Sequence, residues 1–173
     1  SRISKGKPIV NLFPLMPGEK INEILAVKDF VDDEFIFMAT AKGTVKKTPL
    51  SDFSNPRKSG IIAIKLDNGD FLVGAGVTDG SNDIVLVSNG GKAVWFDEND
   101  VRSMGRNARG VRGMKLTENQ QVLSLLIASS EEQSVLVATE NGFGKRTVLS
   151  EFRKSGRGTQ GVKAIQVSDR NGI

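Results

Sequence analysis

Short stretches of apolar residues recur along the chain, and polar turns separate them. Segments 35–40, 84–88 and 135–139 are rich in β-branched and aromatic residues, which favours buried strands over helix. A turn containing Gly follows each of them, at residues 41–43, 89–91 and 140–142. Asn and Gly in these turns tolerate the positive φ that two-residue hairpin turns need. The pattern therefore predicts three β-hairpins.

Two independent sequence markers repeat with the same period. The first, at intervals of 48 and 51 residues, is the Gly that ends each hairpin turn: Gly43, Gly91 and Gly142. The second, at intervals of 50 and 51 residues, is a Gly followed by alternating apolar residues: Gly60, Gly110 and Gly161. A strand-rich repeat of about fifty residues is typical of propellers and related blade arrays.

Each repeat is predicted to contain four strands. After the first strand of the hairpin comes a returning strand, at residues 45–48 and 144–147, with a diverged copy at 91–101. A third strand leaves the second marker, at residues 60–66, 110–116 and 161–167. A last strand follows at residues 71–75 and 122–127, and segments 6–12 and 21–27 match the third and last strands of a further repeat.

The expected fold is therefore all-β, a propeller-like array of four-stranded blades with about three blades present as an open arc. Residues 1–30 would end one blade, 31–79 and 80–130 would form two blades, and 131–173 would form a partial blade. The first residue is not Met and the chain stops just after a turn signal, so we interpret it as part of a longer protein.

The amino-acid composition further limits the kind of core and the kind of partner that the chain can have. Hydrophobic residues make up 38% and aromatic residues 6% of the chain, which suits thin cores between blades better than one deep core. The net charge of +4 favours polyanionic partners. The absence of Cys suits a reducing cytoplasm, and no apolar run is long enough to predict a membrane span.

The sequence offers little for catalysis. It contains no His, Cys or Tyr, which removes the commonest bases, thiolate nucleophiles and zinc ligands. Acidic clusters at residues 32–34, 97–100 and 131–132 lie in predicted turns, where solvated charge is common. We expect no catalytic residue, no metal site and no cofactor in this segment.

Basic residues, in contrast, recur at matching places in the repeats, on the returning strands and in the loops before the second marker. Copies of one module should bring them to a common outer rim, where they could follow a bent polyanion. The predicted DNA-binding residues are Lys46, Lys47, Arg57, Lys58, Lys92, Arg102, Arg106, Arg109, Arg112, Lys145, Arg146, Arg153, Lys154, Arg157 and Lys163. Trp95 takes the place of Lys47 and Arg146, and there we expect packing rather than base stacking.

Four stretches carry a family resemblance: residues 6–12, 37–48, 101–113 and 141–147, of which 101–113 is the most specific. Together they closely resemble the C-terminal domain of the bacterial DNA gyrase A protein. The resemblance implies a β-pinwheel, in which hairpins exchange strands with neighbouring blades and double-stranded DNA wraps around the basic rim. The family's Gln-Arg-Arg-Gly-Gly-Lys-Gly box is absent from this sequence.

The resemblance also implies a role in the longer protein. The segment would support ATP-dependent negative supercoiling through sequence-nonspecific phosphate contacts. The rest of the gyrase A protein and the gyrase B protein would supply DNA cleavage, ATP hydrolysis and magnesium chemistry. The sequence leaves open the C-terminal domain of the matching topoisomerase IV protein, and a propeller-like module that binds acidic proteins.

Overall fold

The computed structural model describes residues 5–8, 11 and 15–173, and in these ranges the chain is built from β-strands and short 3-10 turns without an α-helix. The strands are β1 Phe35–Thr40, β2 Thr44–Pro49, β3 Leu72–Thr78, β4 Asp83–Ser88, β5 Lys92–Asp97, β6 Val111–Arg112, β7 Val122–Ala128, β8 Ser134–Ala138, β9 Gly144–Val148 and β10 Val162–Lys163. The 3-10 turns are Leu50–Phe53, Glu98–Asp100 and Leu149–Glu151. The three predicted hairpins are present as β1–β2, β4–β5 and β8–β9.

Two four-stranded sheets have the same strand order. The first sheet is β3-β1-β2-β6 and the second is β7-β4-β5-β10, while β8 and β9 form a two-stranded sheet. Strands β3 and β7 contact each other, so they mark the inner edges of neighbouring sheets. Strands β6 and β10 lie at the opposite, outer edges. The predicted all-β array of blades is confirmed.

The sheets are completed by strand exchange between repeats. Strand β6 belongs to the second repeat but pairs with β2 of the first, in the register Thr44↔Arg112 and Val45↔Val111. Strand β10 of the third repeat pairs with β5 in the same way. The residue pattern alone predicts four strands from one contiguous unit, and this is wrong for the outer strand. The exchange agrees with the pinwheel that the resemblance implies.

The hairpin turns differ from the predicted two-residue type. In each, the N–H of the closing Gly donates to the carbonyl three residues earlier at 3.0 Å: Gly43 to Thr40, Gly91 to Ser88 and Gly142 to Thr139. Only the closing Gly of each turn has a positive φ, between 69° and 82°. These are four-residue turns with a left-handed last residue, so the Asn positions do not need positive φ.

Segments 60–66 and 21–27, both predicted as strands, are irregular in the structure. In the later repeats the strand after the second marker pairs with the preceding hairpin, and the described residues before Phe35 contain no hairpin. Segment 60–66 therefore has no returning strand to pair with. The predicted match at 6–12 falls partly outside the described residues.

Side chains alternate along each hairpin strand and fill separate cores on the two faces. Phe37 of the first sheet packs against Phe96 of the second, with ring centroids 6.4 Å apart. On the other face of the second sheet, Val85 and Trp95 pack against Val135 of the third hairpin. Thin cores between neighbouring sheets thus replace one central core.

Candidate nucleic-acid interface

Two irregular segments run along the outer edges of the sheets, and we call residues 101–114 and 152–165 the first and second edge segments. The first edge segment is bound to β2 through the Met104 N–H, which donates to the Lys47 carbonyl at 2.9 Å. The second is bound to β5 at the equivalent place, through the Ser155 N–H and the Trp95 carbonyl at 3.0 Å. Each edge segment ends in the exchanged strand.

Four of the six marker glycines lie where an edge segment crosses the neighbouring hairpin: Gly43, Gly91, Gly110 and Gly161. A Cβ atom on Gly110 would come within 2.5 Å of the Val45 carbonyl oxygen, and one on Gly161 would overlap the Ala93 carbonyl oxygen. Gly113 and Ala164 donate their N–H groups to the carbonyls of Gly43 and Gly91, each at 2.8 Å. At each crossing, therefore, the first marker belongs to the hairpin and the second marker belongs to the edge segment that crosses it.

Predicted DNA-binding residues lie at equivalent places on the two edge segments. The pairs, each 51 residues apart, are Arg102 and Arg153, Arg106 and Arg157, and Arg112 and Lys163. All six are exposed except Arg106, which is half-buried. The structure thus brings eight of the fifteen predicted residues to the two outer edges, six of them at matching positions.

Several of the predicted bases have protein partners. Arg109 binds the Asp67 carboxylate, and Lys154 Nζ lies 2.6 Å from Asp83 Oδ1. This hydrogen bond to Asp83 raises the pKa of Lys154. Arg157 donates to the backbone carbonyls of Asp100 at 2.7 Å and Arg112 at 3.2 Å, so its guanidinium links the two edge segments.

Lys46 and Lys47 lie inside the blades, so the expectation that they line an exposed rim is wrong. Lys46 is fully buried, and its Nζ donates to the carbonyl oxygens of Ala63, at 2.7 Å, and Arg106. Burial lowers the pKa of Lys46, and the nearby Arg106 guanidinium lowers it further. An ammonium with these partners holds the first edge segment against segment 60–66 and is not available to a phosphate.

Lys47 points to the opposite face and joins two repeats. Its Nζ lies 2.9 Å from Glu98 Oε2, and both side chains are buried. Glu98 also accepts hydrogen bonds from the Thr78 hydroxyl at 2.7 Å and the Asn82 N–H at 2.9 Å. The pair is a connection between the first and second blades.

The remaining predicted basic residues lie outside the two edge segments. Arg57 and Lys58 are exposed in a loop that crosses no hairpin in the described part of the chain, and Lys145 and Arg146 are exposed on β9. The half-buried Lys92 donates to Gln160 Oε1 at 3.3 Å. Arg146 takes the repeat position of Lys47 and so lies on the face that would meet a further blade.

Sequence reasoning missed basic residues beside the first crossing. A cleft of about 330 Å³ there is lined by Lys42 and Lys65 as well as by Arg109 and Arg112. Lys65 and Lys115 each stand five residues after a marker Gly, a recurrence that could have identified them. The cleft adds two cations to those predicted at the outer edge.

The described residues contain no group of three or more His, Cys, Asp and Glu side chains placed to hold a metal ion. None of the helical turns in the same ranges has the length and apolar character to cross a bilayer.

Comparison with known proteins gives one consistent family. A family model described as DNA gyrase C-terminal domain, beta-propeller, matches residues 34–79, 82–129 and 133–172. The DNA gyrase A protein of Salmonella typhimurium strain LT2 is 50% identical over 172 residues, which cover 99% of this chain and 20% of that protein. The Escherichia coli K12 protein is 46% identical over 173 residues, covering 100% of this chain and 20% of that protein. The chain therefore spans about a fifth of the length of these relatives.

Two solved structures resemble the chain closely. A DNA gyrase A C-terminal domain aligns with a TM-score of 0.84 and 32% identity, over 98% of this chain and 56% of that one. The C-terminal domain of a DNA topoisomerase IV aligns with a TM-score of 0.85 and 36% identity, over 91% of this chain and 49% of that one.

Proposed function

The chain belongs to the family of DNA gyrase A C-terminal domains, and we propose that it is a non-catalytic segment that binds double-stranded DNA along its two edge segments. The observation that carries the proposal is the recurrence of three basic positions on both edges. A repeated module places these bases at regular intervals, as a bent duplex requires. Because they would neutralise phosphates without contacting base edges, binding would depend little on sequence.

In the longer protein, the segment would wrap DNA and so support ATP-dependent negative supercoiling. Its partners would be the rest of the gyrase A protein and the gyrase B protein, with ATP and magnesium bound outside this segment, in the cytoplasm. The likeness to topoisomerase IV supports a second candidate, in which the same blades bind DNA without strong wrapping. The linking number of circular DNA relaxed in the presence of the longer protein separates the two, since only wrapping shifts it.

The first experiment measures duplex binding as a function of salt. Four phosphate contacts would give a log–log slope near −3.6, because each contact contributes about −0.9. Substituting Arg112→Gln or Lys163→Gln should weaken binding of all sequences alike and make the slope shallower by about 0.9. Lys28→Gln, at an exposed site outside the edge segments, is the matched control. Binding that does not change with salt would contradict the DNA proposal and favour the protein-binding module.

A further inference from the structure

The cleft at the first crossing collects charges from three parts of the chain. Its walls come from the first hairpin turn (Lys42), the segment before β3 (Lys65 and Asp67) and the first edge segment (Arg109 and Arg112). Four of the side chains that line the cleft are cations, and two, Asp67 and Asp70, are carboxylates. The cleft therefore has an excess of positive charge on an outer edge.

The two carboxylates of the cleft have different roles. Asp70 accepts the backbone N–H groups of Lys42 and Phe71, each at 2.9 Å, and so holds the turn together. Asp67 instead accepts from the Arg109 guanidinium, whose Nε lies 3.1 Å from Oδ1. The side chains of Arg109 and Asp67 are 68% and 48% exposed, so water screens this pair and little free energy is needed to open it.

We propose that this cleft is a phosphate subsite for duplex DNA, in which Asp67 is an internal counterion that a backbone phosphate displaces from Arg109. The inference rests on the proposed function. Within the described part of the chain, Lys65 and Arg112 form no ion pair, so their charges face the cleft uncompensated. Arg112 is fixed by the pairing of β6 with β2, which presents its charge without further ordering of the backbone.

The second crossing keeps two of the four cations and lacks both members of the Arg109–Asp67 pair, because Gln160 takes the repeat position of Arg109 and Gly90 takes that of Lys42. Lys115 and Lys163 take the repeat positions of Lys65 and Arg112, and Thr117 stands where Asp67 stands. Lys163 lies opposite Lys92 in the pairing of β10 with β5, as Arg112 lies opposite Thr44. The second crossing would thus be a simpler phosphate site, with two lysines and neither the arginine nor its internal counterion.

The test is the substitution Asp67→Asn, with duplex affinity measured over a range of salt concentrations. We expect affinity to rise roughly two- to fivefold at about 0.1 M salt, the range that exposed ion pairs contribute. The salt slope should change by much less than the roughly 0.9 of a whole contact, because Arg109 contacts a phosphate in both proteins and only the cost of displacing Asp67 is removed. Asp32→Asn is the matched control. It removes the same charge from an exposed site at the far end of β1 from the cleft, about 20 Å away along a six-residue strand.

The same substitution made in the Arg109→Ala variant tests whether Asp67 acts through Arg109. In the Arg109→Ala variant, Asp67→Asn should give no more than the small change that Asp32→Asn gives. The proposal is overturned if the two Asn variants behave alike in the native background, or if the gain persists without Arg109. Unchanged thermal unfolding of all variants would show that the fold is retained.

Two further outcomes separate related possibilities. Calorimetric titration with inorganic phosphate should show no saturation at low millimolar concentration, because a single phosphate lacks the neighbouring contacts of a duplex. Saturation that Arg109→Ala abolishes would assign the cleft to free phosphate and overturn the duplex subsite. If the unmodified chain binds no duplex at low salt, the proposed function and the subsite both fall, whereas normal binding with an inert Asp67 removes the subsite alone.

Discussion

The two junctions between blades share one backbone arrangement and differ in their chemistry. At the first junction Lys47 and Glu98 form a buried ion pair supported by the Thr78 hydroxyl and the Asn82 N–H. At the second, Trp95 takes the place of Lys47 and packs among apolar side chains, with the Lys154 ammonium 5.4 Å from its ring centroid. The repeat therefore fixes where each edge segment crosses the neighbouring hairpin, whereas the side chains at the two junctions differ.

The largest expected effect comes from breaking the buried pair. Lys47→Met should destabilise the chain by about 3–5 kcal/mol, because it leaves the Glu98 carboxylate buried without a cation. Adding Glu98→Gln should recover most of this loss, since Gln removes the charge and keeps an acceptor for Asn82. The free energy of unfolding from urea denaturation measures both.

Trp95→Met, at the equivalent position of the second junction, is the control for this pair. Its cost should add to that of Glu98→Gln without coupling, because Trp95 packs on the other face of the second sheet. Simple additivity of Lys47→Met and Glu98→Gln would show that the first junction does not depend on its charges.

A smaller effect tests what the junctions have in common. Gly60→Ala should cost about 1 kcal/mol, because φ is 77° there and the space around it is open. Gly161→Ala has the same φ of 77° but meets the Ala93 carbonyl, so it should cost about 1–3 kcal/mol more. Equal losses in urea denaturation would mean that the close crossing is not required.

The smallest effect concerns the partly exposed ion pair of Lys154 and Asp83 at the second junction. Lys154→Met should cost at most about 1 kcal/mol, since the ammonium is 40% exposed and salt screens it. Because the hydrogen bond to Asp83 raises the pKa of Lys154 above 10.5, its contribution is complete below pH 10.5 and is lost as pH rises through the raised value. The difference in unfolding free energy between the two proteins should therefore vanish above that value. A difference that persists there would assign the effect to packing on Trp95.

The sequence predicted the features that local chemistry determines. The hairpins and their period follow from apolar strands and the Gly residues of the turns, and these are confirmed. The pairing of β6 with β2 does not follow from the residue pattern, because a period gives the length of a repeat but not which neighbour completes its sheet. The family resemblance supplied that information.

The burial of Lys46 and Lys47 shows a second limit of sequence reasoning. Two adjacent Lys on a short strand are typical of a solvated edge. Here their partners are Ala63, Arg106 and Glu98, all distant in the sequence, and these partners bury both faces of the strand. The edge-segment bases were easier to place, because recurrence at equivalent positions does not depend on such partners.

Strand exchange also imposes an order in time when the chain is synthesised. Strand β2 cannot pair with β6 until Arg112, the partner of Thr44 and 68 residues later in the chain, has been synthesised. At roughly 5–20 residues per second, the first hairpin is exposed for about 3–14 s with one unpaired edge. Each new repeat then supplies the outer strand of the sheet before it, so only the most recently synthesised sheet lacks its outer strand.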